Sequence, residues 1–195
     1  MPDSEFLKQQ LTVLSAGTEE EREAAAERLM AAGGPAVPGL QAVLAADAAD
    51  ARWWAARTLA GIPGAAAAEV LGSALSDPDE DVRVCAVMGL GERREAAAVD
   101  GLLMLLLSAN GYVGRHIGDA LSKIGEPAVP GLIRALQDER PVVRVQAARA
   151  LVRIESQQAI PALIEALDDP EPAVEHYAWE ALQRMGVGAM CYFEP

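Results

Sequence analysis

Leucine returns along this chain at an almost fixed step, and that step constrains the fold more than any other feature. Leu29, Leu59, Leu90, Leu121, Leu151 and Leu182 are separated by 30, 31, 31, 30 and 31 residues. Four residues before each stands Ala25, Ala55, Ala86, Ile117, Ala147 or Ala178. A second ladder runs Leu40, Leu71, Leu102, Leu132, Leu163, and a third Leu44, Leu75, Leu106, Leu136, Leu167. Within a unit these two are four residues apart, so they share one helix face. Three ladders in step mark a tandem repeat. The units run approximately 3–33, 34–63, 64–94, 95–125, 126–156 and 157–186, with 187–195 as a C-terminal tail or cap.

Each unit is read as two helices. Alanine supplies 39 of the 195 residues, and it is both the strongest helix former and small enough for close helix approach. In the fifth unit Pro127 is placed at a helix start, where its missing N–H costs little. That helix is predicted to reach about Gln137, followed by a turn over Asp138 to Pro141 and a second helix from Val142 to Ile154. Asp77-Pro78 and Asp169-Pro170 mark the same turn elsewhere, and Pro38, Pro130 and Pro161 recur near the start of the first helix. One unit cannot bury both helix faces, whereas stacked neighbours can. The fold class is therefore all-α: a solenoid of about six two-helix repeats wound as a right-handed superhelix.

Charge and motifs exclude several functions. With 16 basic and 29 acidic residues the net charge is −13, the wrong sign for a binder that neutralises phosphates. The longest purely apolar run, Leu102 to Leu107, is far short of a bilayer span. The start MPDSEFLKQQ has no basic and apolar leader pattern, and two cysteines do not make a disulfide framework. A reducing cytoplasmic setting is expected, with no nucleic acid and no membrane. Arginine outnumbers lysine 14 to 2, which suggests a GC-rich bacterial genome. No CxxC, HExxH or glycine-rich phosphate loop occurs, so no metal and no cofactor are expected. Cys85 and His116 occupy one column in adjacent units. Helix ridges roughly 10 Å apart keep a nucleophile from its base, and catalysis is not expected.

The stretch DERPVVRVQAARALVRIESQQAIPALIEALDDPEPAVEHYAWEAL resembles HEAT repeats of the phycobilisome-lyase-like type. A turn Asp, then Val-Arg, then an Ala/Leu helix stands at Asp77/Val82/Arg83 and Asp138/Val143/Arg144. It is weaker at Asp47/Ala51/Arg52, and Glu175 replaces the Arg in the last unit. The resemblance spans roughly residues 3 to 186 and is specific for fold. It implies that the second helices line a concave face. HEAT-like deoxyhypusine hydroxylases need His-Glu pairs, and here His116 precedes Ile117 and His176 precedes Tyr177.

Helical geometry counted from the Arg column then picks out the side chains leaving the core on that face. They are Glu23 and Glu27; Trp53, Trp54 and Arg57; Val84, Cys85, Met88 and Glu92; Arg115, His116, Asp119 and Lys123; Val145, Gln146, Arg149 and Arg153; His176, Tyr177, Glu180 and Arg184. Trp53, Trp54, Val84, Met88 and Tyr177 are large apolar groups expected at the surface, a common anchor chemistry. One tryptophan of the pair is equally readable as folded into the core. Arg115, Lys123, Arg149, Arg153 and Arg184 form a basic stripe suited to carboxylates, or else a solvated face with pairs such as Arg115–Asp119 and Glu180–Arg184.

The fourth unit departs most. Its turn reads Ser-Ala-Asn-Gly-Tyr, Gly114 replaces the Arg, and Gly118 lies mid-helix, which signals either tight packing or the close approach of a partner. The tail from Gly186 breaks the repeat and ends Met-Cys-Tyr-Phe-Glu-Pro. It is expected to cap the last unit, the alternative being a docking peptide. The expectation for function is a non-catalytic protein–protein interaction module or scaffold that binds a partner protein on its concave face, through an acidic segment of that partner. The alternative is a bilin or chromophore lyase or chaperone-lyase-like protein, which the family resemblance implies. Homo-oligomerisation through an open end or the tail is a third reading.

Overall fold

A computed structural model describes residues 3–187 of the chain; the expected tail or cap, 187–195, lies outside the described residues from Gly188 on. Twelve α-helices and no strand occur among the described residues. They are α1 (Ser4–Ala16), α2 (Glu19–Ala32), α3 (Val37–Leu44), α4 (Ala49–Gly61), α5 (Ala65–Ser73), α6 (Glu80–Glu92), α7 (Val99–Leu106), α8 (Gly111–Ile124), α9 (Val129–Ala135), α10 (Pro141–Ile154), α11 (Ile160–Glu165) and α12 (Pro172–Arg184). Two compact units result, one ending at Arg93 and one beginning at Arg94, and each holds three helix pairs. In the first unit α2 packs on α4 and α4 on α6; in the second α8 packs on α10 and α10 on α12.

The longer second helices start on local chemistry. Thr18 and Glu21 form a reciprocal capping box at α2, Asp79 caps α6 and Asn110 caps α8, each satisfying backbone N–H groups that lack helical partners. Pro141 and Pro172 take the first turn of α10 and α12, and α4 starts after Ala48 with neither device. The first helices are shorter than the sequence suggests. Pro127 opens a 3-10 turn over Glu126–Ala128, and the α-helix runs only from Val129 to Ala135. Leu75 and Leu167, from the third ladder, likewise sit in closing 3-10 turns.

The ladders are the core. All six leucines of the first ladder and all five of the second are buried. Close packing reaches the backbone at Gly89 in α6, where an added Cβ would stand 2.6 Å from the Ala60 Cβ of α4.

Candidate functional site

The turn Asp and the helix Arg of the repeat signature meet across neighbouring repeats. Arg52 of α4 grips Asp77 of the next turn with Nε at 2.8 Å and Nη2 at 2.9 Å. Its Nη1 donates to the carbonyls of Ala46 and Asp47 in its own turn. Arg144 of α10 repeats this on Asp169, at 2.7 and 2.9 Å, and on the carbonyls of Asp138 and Glu139. Each Asp also accepts a backbone N–H two residues on, from Asp79 or Glu171. The bidentate fork suits the planar guanidinium. The Arg144 guanidinium holds Asp169 below the usual carboxylate range against the opposing effect of burial. At Asp77 burial pushes up, yet Arg52 and the Asp79 amide together leave it lowered.

The clamp ties α4 and α10 to the turn that follows each, and the other repeats rearrange it. Arg22 pairs with Asp50 instead. Arg83 bonds the carbonyls of Asp77 and Pro78 and reaches Glu80 at 3.7 Å. Where Gly114 replaces the helix Arg, Arg140 of the following turn reaches back to the Leu107 carbonyl and binds Asp138 at 2.8 Å. That contact holds Asp138 down at about 2.

In the first unit the outward face centres on α4. Trp53 is half-buried and meets Trp54 edge to face, centroids 5.3 Å apart and planes at 88°. Trp54 is only 5% exposed. Arg57 lies 4.8 Å from the Trp54 centroid and 5.8 Å from that of Trp53, and donates to Glu23 at 2.9 Å. Met88 of α6 is 48% exposed. Cys85 is half-buried, its thiol 4.0 Å from the Trp53 carbonyl. Burial pushes that thiol up to about 11, with Arg57 offsetting part of the effect, so it is a protonated, weakly nucleophilic group at neutral pH.

In the second unit the face is cationic. Asp119 of α8 receives Arg153 at 2.9 Å and Arg149 at 3.3 Å, both from α10. Arg149 also donates to the Arg115 carbonyl at 2.6 Å and to Gln146 at 3.1 Å. Its guanidinium lies over Gly118, where a Cβ would come within 3.2 Å of Nη2. The glycine is thus explained by packing between α8 and α10. Asp119 turns to the next helix rather than forming the expected pair with Arg115, whose side chain is exposed. Lys123 is exposed at the end of α8, and His116 meets Tyr112 edge to face at 4.9 Å. On α12 Tyr177 is half-buried beside His176, and Arg184 spans Glu180 at 3.3 Å and Glu155 at 3.5 Å.

Three residues expected outside are buried: Trp54, Val84 and Gln146. Trp54 and Gln146 sit about 100° from the core direction, which turns them against a neighbouring second helix rather than into solvent. On the second helices two exposed aromatics escaped the column count: Tyr112 at the start of α8, 53% exposed, and Trp179 of α12, 38% exposed. No group of three or more His, Cys, Asp or Glu able to hold a metal occurs among the described residues. No described helix is long and apolar enough to cross a membrane.

Known structures share this architecture. A HEAT-like repeats protein from the archaeon Thermococcus onnurineus superposes with a TM-score of 0.65 at 15% identity, covering 95% of this chain and 81% of that one. The complex of CpcE and CpcF of phycocyanin lyase from a Nostoc species gives 0.56 at 22% identity, over 92% and 77%. A designed armadillo repeat protein in complex with a (KR)4 peptide gives 0.55 at 22% identity, over 92% and 99%. No curated protein matches the sequence. The profile of the HEAT repeats family matches residues 37–122, 68–140 and 129–189. With those matches covering most of the chain, and second helices packed in succession within each unit, the protein belongs to the HEAT repeat family.

Proposed function

We propose that this chain is a non-catalytic interaction module that binds a partner protein, in the cytoplasm of a bacterium, on the concave face formed by its second helices. The observation that carries this reading is the convergence of Arg149 and Arg153 on the single carboxylate of Asp119, next to the exposed Arg115, in a chain of net charge −13. A local cationic surface selects acidic segments, while the net negative charge of the chain repels other copies of it. Trp53, propped by the buried Trp54, and the exposed Met88 supply apolar contacts in the first unit. The armadillo relative is in complex with a (KR)4 peptide; here the cations stand on the protein, so the complementary segment is acidic.

The test is affinity capture from lysate with the wild type, Trp53→Ala and Arg149→Glu/Arg153→Glu. A protein held by the wild type and lost by the charge-reversed form is expected. Retention of the same proteins by all three forms would refute the reading. A second reading, a bilin or chromophore lyase-like protein, is favoured by the likeness to the phycocyanin lyase complex. It requires a shift in visible absorbance on mixing with a tetrapyrrole, which a bare interaction module does not give.

A further inference from the structure

On the outward face of the second unit four side chains stand at the corners of a square. Arg115 and Asp119 lie one turn apart on α8, and Arg149 and Arg153 one turn apart on α10, so each pair shares a helix face. Both rungs between the helices are bonded. Arg149 Nη2 donates to the Arg115 carbonyl at 2.6 Å, and Arg153 Nη1 donates to Asp119 at 2.9 Å. Arg149 also reaches Asp119, at 3.3 Å. Three corners are guanidinium groups and one is a carboxylate, which leaves a surplus of two positive charges.

The square is held from the helix side and open toward solvent. Gly118 lets Arg149 lie against α8, and the buried Gln146 accepts from Arg149 Nε at 3.1 Å. The Arg153 side chain is 56% exposed and that of Asp119 34%. Arg153 uses Nη1 on Asp119, and its Nε and Nη2 are left for a ligand. Arg115 is exposed, and its guanidinium has no hydrogen bond or ion pair among the described residues. The acids on the α12 side do not cancel the surplus, because Arg184 takes Glu155 at 3.5 Å and Glu180 at 3.3 Å. A partner carboxylate would bring one charge, the same that Asp119 already supplies. A phosphoryl group brings close to two, with three strong acceptor oxygens that several guanidinium groups can bind together.

We propose that this square is a binding site for a phosphorylated residue of the partner. The phosphoryl group lies between Arg115 and Arg153, with Arg149 behind it, and Asp119 holds the two α10 arginines in place. The inference rests on reading this face as the surface for an acidic segment, and adds what separates one acidic segment from another. Nucleic acid presents only one charge per phosphate and meets a chain of net charge −13, so the occupant is a phosphorylated protein segment.

The test uses the full chain and fluorescence anisotropy. The probes are one acidic peptide carrying phosphoserine, glutamate or serine at its centre, and a single-stranded oligonucleotide of equal charge. The phosphoserine peptide is expected to bind about tenfold more tightly than the glutamate peptide, the scale of one added charge-assisted hydrogen bond. Arg115→Ala is expected to remove that advantage while Tm and the Kd of the glutamate peptide stay unchanged, because the Arg115 guanidinium bonds nothing within the fold. Equal affinity for the phosphoserine and glutamate peptides, both lost in Arg149→Glu/Arg153→Glu, would overturn the proposal and leave the acidic-segment reading standing. Tighter binding of the oligonucleotide than of the phosphoserine peptide would overturn it in favour of a phosphodiester partner. Peptides held as tightly by Arg149→Glu/Arg153→Glu as by the wild type, or held by neither, would overturn both.

Discussion

Replacing Arg144 by methionine keeps an unbranched apolar stem and removes the guanidinium fork. The wild-type guanidinium makes two bonds to Asp169, at 2.7 and 2.9 Å, and donates to the carbonyls of Asp138 and Glu139, at 2.9 and 3.1 Å. The two side chains of the pair are 11% and 10% exposed. Breaking a fully buried pair from one side costs about 3–5 kcal/mol; water at the rim of this turn screens part of that, which places the loss at about 2–3 kcal/mol. For a chain of this size that lowers Tm by roughly 5–10 °C. Lysine at the same position keeps the charge but not the bidentate geometry, so Arg144→Lys is expected to recover less than half of the loss. Thermal unfolding read by circular dichroism measures both, and hydrogen exchange at the Glu171 amide, which Asp169 accepts, localises the effect. The clamp argument is refuted if Arg144→Met melts within a degree of the wild type.

Acid titration tests the same clamp from the other partner. Asp169 is lowered in the folded chain by Arg144, so its stabilisation is present above the unfolded carboxylate pKa and is lost as pH falls through the lower folded value. Asp169→Asn is therefore expected to flatten the acid limb of stability below about pH 4; an unchanged acid limb would remove Asp169 from the account. Trp54→Ala, which empties a buried site, is expected to cost about 3–5 kcal/mol in urea unfolding, whereas Trp53→Ala loses partner binding with little change in stability; comparable losses from both would contradict the assignment of Trp54 as support. Gly89→Ala sets a Cβ against that of Ala60 and is expected to destabilise by about 1–3 kcal/mol, the sign reversing if α6 can shift away. In a Cys191→Ser background, Cys85, raised to about 11 by burial, is expected to resist thiol reagents at neutral pH until the chain unfolds; rapid native labelling would refute its burial.

The repeat architecture was legible because a periodic buried contact leaves a periodic residue. Leu29 to Leu182 must fill equivalent cavities, so their spacing prints the unit length directly. The ends of the first helices were less legible: Pro127 and Gln137 bracket the right segment, but the choice between a 3-10 and an α turn depends on backbone hydrogen bonds that side-chain pattern does not encode. The depth of individual outward-column residues was less legible still: Trp54, Val84 and Gln146 are buried where the column count placed them at the surface. Trp53 and Trp54 are identical in chemistry and adjacent in sequence, and only the neighbouring helices decide which is buried.

By itself, then, the sequence determined the class of fold, the number of repeats and the set of helices that carry the cationic and aromatic groups, because burial periodicity and net charge are properties of the residue order. Tertiary structure alone decided that the signature Arg and Asp belong to different repeats, that Asp119 serves Arg149 and Arg153 rather than Arg115, and that Gly118 makes room for a guanidinium. Those outcomes depend on distances between helices roughly 25 to 34 residues apart in the chain, and a local pattern fixes which residues a helix presents but not which atoms of its neighbour they meet.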